Sequence, residues 1–144
     1  MATRHQARRA VVGLLYAYDL GNDGIVKFRD EILEDDKIRN RQREFSYRLF
    51  DGTIANLSMI DEEVEKHLES WDYSKVGKVE KAILRLGTYE IMIENTERAV
   101  VINEAVELAK ELADDKAPQF INGVLDAVGK EPRTTDGESG KKES

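Results

Sequence analysis

The side chains that could do chemistry in this sequence are few. It has two histidines, His5 and His67, and no cysteine. A zinc site or a histidine-driven nucleophile relay therefore lacks parts, and no glycine-rich phosphate loop occurs. Carboxylates are abundant, but at helical spacing they read as solvated faces. The segment "DLGNDGIVKFRD" places Asp19, Asp23, Gly24 and Asp30 in the register of a calcium loop. Gly21 takes the third ligand position, however, and the last ligand is Asp in place of a bidentate Glu. The stretch "VVINEAVELAKELADDKAPQFINGVL" sets Asn103 and Glu104, then Asn122 and Gly123, among apolar residues at helical spacing. Near a helix start, Asn satisfies free backbone N–H groups and Glu complements the dipole. Gly123 inside a helix implies close approach of a helix or of a ligand backbone. These four therefore read as capping and packing residues.

The most informative chemistry lies in residues 1–18, which contain Arg4, Arg8 and Arg9 and no acid. On a helical wheel of about 100° per residue, Ala7, Ala10, Val11, Leu14 and Tyr18 form a buried stripe. His5, Arg8, Arg9, Val12 and Tyr16 fall on the other side. A basic face bearing a tyrosine suits RNA, because arginines bind phosphate and an aromatic ring stacks on an unpaired base. A solvated face of snorkelling side chains explains the same pattern equally well.

The elements that must position these residues are helical throughout. Apolar residues recur with a period near 3.6, and sustained alternation is absent. The patterns predict helices over 3–20, with Thr3 as cap, then 25–34, 40–70, 78–95, 100–113 and 116–128. Gly21 and Gly24 end the first, and Ile25, Phe28, Ile32 and Leu33 make the apolar side of the second. Gly52 is expected to divide 40–70 in two. "WDYSKVGK" reads as a linker or a short turn, and Ala105 and Ala109 as a narrow strip that admits another helix. The result is an all-α fold, a compact bundle of about seven helices. Residues 1–129 form the domain, and the tail 130–144, without a large apolar side chain, is expected to be disordered.

Composition narrows the class further. The chain has 144 residues, 40% of them hydrophobic, and a net charge of −7. No apolar run is long enough for a bilayer span, and no secretory signal is present, so a cytoplasmic protein is expected. The charge is uneven: residues 19–36 carry seven acids against Lys27 and Arg29, whereas 37–48 hold Lys37, Arg39, Arg41, Arg43 and Arg48 against Glu44. Local fields of this kind let an acidic protein bind a phosphate backbone.

Four blocks, "LLYAYDL", "VGKVEKAILRLGTYEI", "VVINEAVELAKELA" and "PQFINGVLDAV", resemble the signature blocks of the bacterial transcription antitermination factor NusB family, in order and spacing, over roughly residues 3–129. The resemblance implies two small helical subdomains packed at a steep angle, no enzymatic activity and no cofactor or metal. It implies pairing with NusE, a small-subunit ribosomal protein. Together the two bind boxA in nascent single-stranded RNA and join the antitermination complex on RNA polymerase during ribosomal RNA transcription. Members of the family occur as monomers and as homodimers. The family's RNA surface maps onto Arg4, His5, Gln6, Arg8, Arg9, Tyr16, Gln119 and Phe120, and its partner-facing helix onto Glu80. His5 and Gln6 replace a denser arginine run, which implies weaker RNA binding by the protein alone; the basic segment 37–48 is a candidate compensation. NusB-like domains also precede ribosomal RNA cytosine methyltransferases, but the cofactor loop and cysteine nucleophile of those enzymes are missing here. The alternative to RNA binding is a structural interaction module with the same fold.

Overall fold

Period-3.6 patterning yields seven α-helices and one 3-10 turn in the computed structural model, which describes residues 2–22, 24–68 and 72–130. Asp23 of the calcium-like register, Trp71 of the expected linker and tail residues 131–144 lie outside the described residues. The helices are α1 (Arg4–Asp19), α2 (Ile25–Asp35), α3 (Arg41–Ala55), α4 (Leu57–Glu65), α5 (Lys78–Met92), α6 (Arg98–Leu112) and α7 (Ala117–Ala127), with the 3-10 turn at Tyr73–Lys75.

Local chemistry sets several boundaries. Thr3 and Gln6 form a reciprocal capping box: the Gln6 amide donates to Thr3 Oγ1 at 3.1 Å, and the Thr3 amide donates to Gln6 Oε1 at 2.8 Å. Gly21 ends α1 with φ +93°, a left-handed conformation that costs glycine little. Arg98 reaches the end of α7, where its Nη1 donates to the carbonyls of Leu125 (2.8 Å) and Val128 (2.6 Å). It thereby satisfies acceptors that the helix leaves open.

Helix α5 is the axis of the fold. Every residue from Lys81 to Glu90 is buried, and α1, α3, α4, α6 and α7 all pack against it. Helices α1–α3 form one group and α4–α7 the other; the two share one core along α5. The charged side chains trapped on α5 are paired. Arg85 donates to both oxygens of Asp61 (2.9 and 2.8 Å) and to Asp19 (3.1 Å), while Lys81 sits 4.6 Å from the Tyr73 ring centre. Asp19 also meets Lys78 at 3.2 Å. It ties α1 to α5. Burial pulls its pKa up, but Lys78 and Arg85 more than reverse this and hold it below the usual carboxylate range.

Four expectations are corrected. The break in 40–70 falls at Asn56, not Gly52. Asn56 leaves the helical conformation, and its Nδ2 donates to the Gly52 carbonyl at 2.7 Å, a side-chain bond that competes with the backbone ladder. Gly52 lies within α3, and its lack of a side chain serves packing: a Cβ there would overlap the Tyr89 ring and hydroxyl. Asn103 lies well inside α6, which starts at Arg98 with Glu97 as cap, so it caps nothing. Phe28 is 53% exposed while Ile25 and Leu33 are buried. Gly123 is exposed, with open space where its Cβ would be, and Asn122 is exposed too. The close approach expected at Gly123 occurs at Gly87, where a Cβ would stand 2.8 Å from Leu125 Cδ1. Ala105 and Ala109 are buried as the narrow strip required.

The two glycines give opposite predictions. Gly52→Ala forces the buried Tyr89 ring to move and should cost about 1–3 kcal/mol. Gly123→Ala removes backbone freedom from the unfolded chain at an open helical site and should stabilise by about 0.5–1 kcal/mol. Urea denaturation of both variants checks the signs.

Candidate nucleic-acid interface

Helix α1 presents its polar residues to three different environments. Arg8 points inward. It is 4% exposed, and its Nε and Nη2 donate to Glu90 Oε2 and Oε1 at 2.9 and 2.8 Å. This corrects the placement of Arg8 on the exposed basic face: a planar guanidinium and a carboxylate satisfy each other bidentately across the α1–α5 contact. Val12, assigned to the same face by the wheel, is also buried. The stripe covered by neighbouring helices is wider than the wheel allowed, because α2, α3 and α5 all contact α1.

His5 and Arg9 turn towards α6. His5 Nδ1 is 2.8 Å from Glu104 Oε1, and its Nε2 is 2.8 Å from Glu111 Oε2. Arg9 Nη1 donates to Glu111 Oε1 at 3.0 Å. Arg8 Nη1 stands 3.7 Å from Glu104. Burial opposes a charge on His5, but the hydrogen bonds to Glu104 and Glu111 and their negative charges outweigh it, so the imidazole pKa is raised above 6.5. Glu104 and Glu111 were missed as parts of this face. They sit seven residues apart, two turns, on one side of α6. That spacing is visible in the sequence; which helix they meet is not.

Arg4 stacks on Phe45 of α3, with its guanidinium carbon 4.3 Å from the ring centre; Arg8 and Arg48 approach the same ring at 5.2 and 5.4 Å. Arg4 is exposed and has no carboxylate partner among the described residues. The basic segment 37–48 is mostly engaged. Arg39 and Arg43 both donate to Glu34, at 2.6 and 2.7 Å, and Arg43 Nε donates to the Ile38 carbonyl at 2.9 Å. Arg48 donates to Glu94 at 3.1 Å. These bonds tie α2 and the turn after α5 to α3, and leave Arg41 as the arginine of that segment without a carboxylate partner among the described residues.

Along α1, Gln6, Arg9, Gly13 and Tyr16 form a row at helical spacing and line one side of an open groove of ≈ 690 Å³, with Ile32 of α2 and Leu112 of α6 among the other walls. Tyr16 is 37% exposed. Nothing lies within 4 Å of where a Gly13 Cβ would be, so the row has a flat step in its middle. Gln119 is exposed and Phe120 half-buried on α7, which packs on α6 and α5. Neither lines the groove. Glu80 is half-buried in the first turn of α5, and its carboxylate folds back over Gly77, where a Cβ would stand 2.9 Å from Glu80 Cδ. A carboxylate at the positive end of a helix is stabilising in itself.

Two outcomes follow for stability. Arg8→Ala strands Glu90 in the core and should cost about 3–5 kcal/mol, against at most about 1 kcal/mol for Arg9→Ala in its exposed pair; chemical denaturation separates them. The raised pKa of His5 means that the folded state binds the proton more tightly than the unfolded one. The His5 contribution is therefore fully present below pH 6.5 and is lost as pH rises through the folded value. The stability difference between the native chain and His5→Gln should shrink over that rise; a difference that is flat with pH refutes the assignment.

Comparison with known proteins agrees with this architecture. The model of the NusB family matches residues 5–130. A transcription antitermination protein NusB from Sulfurovum sp. (strain NBC37-1) is 75% identical over 130 residues, covering 90% of this chain and 100% of that one. The solved structure of T. maritima NusB superimposes with a TM-score of 0.82 at 32% identity, covering 93% of this chain and 95% of that one. A solved complex of antitermination factors NusB and NusE with double-stranded RNA matches with a TM-score of 0.78 at 34% identity, covering 86% and 93% of the two chains. With the match spanning nearly all of the described residues, the chain belongs to the NusB family.

Proposed function

We propose that this protein is a transcription antitermination factor of the cytoplasm that binds boxA-type single-stranded RNA together with NusE and acts by binding, without catalysis. The observation that carries the reading is the row Gln6, Arg9, Gly13 and Tyr16 beside an open groove, with Arg4 exposed at the head of the same helix. Arginines supply phosphate contacts, Gly13 lets a sugar–phosphate backbone come close, and the exposed Tyr16 ring offers a stacking surface. Stacking on a side chain needs an unpaired base, which favours a single strand. The relatives' shared name supports the antitermination role, and the solved complex of NusB and NusE with double-stranded RNA supports NusE and an RNA as partners.

In this reading Arg4, His5, Gln6 and Arg9 track the backbone, while Arg8 positions α1 through Glu90 without touching RNA. Phe120 and Gln119 extend the surface from α7, and Glu80 faces the basic ribosomal partner, where complementary charge speeds encounter. NusE completes the RNA surface, and the complex engages RNA polymerase during ribosomal RNA transcription. A second reading, an interaction module whose basic face serves structure alone, is favoured by the carboxylates that hold His5, Arg8 and Arg9.

Fluorescence anisotropy with a boxA oligonucleotide and a scrambled control, with and without NusE, separates the two. Antitermination predicts a boxA preference that sharpens when NusE is added. Equal, weak, salt-erased binding to both RNAs supports the interaction module. Tyr16→Ala and Phe120→Ala should each weaken boxA binding by about 1–3 kcal/mol if the ring stacks on a base; unchanged affinity with the fold intact removes that ring from the site.

A further inference from the structure

The basic face of α1 already holds anions, and they belong to the protein. His5 lies between Glu104 and Glu111, with 2.8 Å to each. Arg9 is bound to Glu111 at 3.0 Å. The chemistry is that of a phosphate contact: anionic oxygens of α6 accept hydrogen bonds from the cationic side chains of α1. These pairs are not needed to fasten α1 into the core, a task already met by the buried Arg8–Glu90 pair and by the apolar stripe. Nor are they deeply buried. The Glu104 and Glu111 side chains are 26% and 34% exposed, and that of Arg9 is 53% exposed. Exposed pairs of this kind are held by about 0–1 kcal/mol, weakly enough for an RNA phosphate to displace them.

We propose that Glu104 and Glu111 are internal counter-ligands of the RNA site: they occupy His5 and Arg9 in the free protein and compete with RNA phosphate for them. The inference rests on the RNA-binding reading of α1 and adds its regulation. Two consequences follow from charge bookkeeping. Binding through Arg9 frees a carboxylate that attracts cations while the RNA gives up its own, so net counterion release is small and the salt dependence of RNA affinity is shallow. RNA that offers only phosphate must also displace a carboxylate, so generic polyanions bind poorly until stacking on the groove adds to their affinity.

The test uses the full chain, Glu111→Gln, Glu104→Gln and a control, Glu107→Gln. Glu107 is on the same helix and carries the same charge, but it faces Lys110 at 3.4 Å. Anisotropy titrations with boxA and scrambled RNA at several salt concentrations give affinity and slope. Glu111→Gln should tighten binding to both RNAs about two- to fivefold, the value of an exposed ion pair. It should also steepen the slope of log K against log salt by up to about 0.7, one single-strand phosphate. Glu104→Gln should act in the same direction, and Glu107→Gln should change neither quantity. Equal effects of Glu107→Gln and Glu111→Gln would mean that net charge alone acts, and the proposal fails. It fails also if Glu111→Gln and Glu104→Gln leave affinity and slope where they were. The two readings separate cleanly. A native protein without boxA preference whose Glu111→Gln variant still tightens on both RNAs overturns the antitermination reading and keeps the counter-ligands. The converse pattern keeps the function and removes them.

Discussion

The structure depends on burying one helix on all sides. Helix α5 has no solvent face over the ten residues from Lys81 to Glu90, and it carries charge into the core with it. A buried charge is tolerable only when its partner is delivered with good geometry. Each neighbouring element that supplies a partner is thereby fixed in register: α1 must bring Arg8 to Glu90 and Asp19 to Arg85, and α4 must bring Asp61 to Arg85. The first helix is pinned to α5 at both ends by ionic contacts that do not tolerate a shift of one residue. Another face of the same helix, bearing Gln6, Arg9, Gly13 and Tyr16, lines the groove.

The same economy of charge shapes the surface. Carboxylates and arginines are numerous, and most of the arginines described have carboxylate partners. Arg39 and Arg43 hold Glu34 at the junction of α2 and α3, Arg48 meets Glu94, and Arg29 is paired with Asp51. Glu94 also accepts the Tyr89 hydroxyl at 2.7 Å, and burial followed by that contact pushes the phenol up to about 12. The Tyr89 ring in turn rests on Gly52. A chain of contacts therefore runs from α5 to the polar edge of α3, where Phe45 collects three guanidinium groups. Among the described cations that this internal pairing does not consume are Arg4 and Arg41.

Much of the fold was legible from spacing alone. Seven helices, the capping role of Thr3, the stop at Gly21 and the small strip Ala105–Ala109 follow from local rules, since each depends on residues a few positions apart. Three of the errors share a cause. Gly52 resembles a break and is a contact. Gly123 resembles a contact and is open helix surface. Arg8 resembles a surface cation and is a core residue. In each case the deciding partner (Tyr89, none, Glu90) lies far away in sequence or does not exist. Four of the residues read as an RNA surface, Arg4, Gln6, Arg9 and Tyr16, are exposed together on α1, whereas Phe120 and Gln119 come from a helix whose relation to α1 no periodicity reveals.

The sequence by itself therefore determined the secondary structure, the family and the basic character of the first helix, because period, capping chemistry and signature blocks are properties of contiguous residues. Tertiary structure alone decided which of those basic residues are available. A helical wheel sorts side chains by angle, but availability depends on what packs at that angle. Glu90 from α5 and Glu104 and Glu111 from α6 arrive there only when the chain has folded.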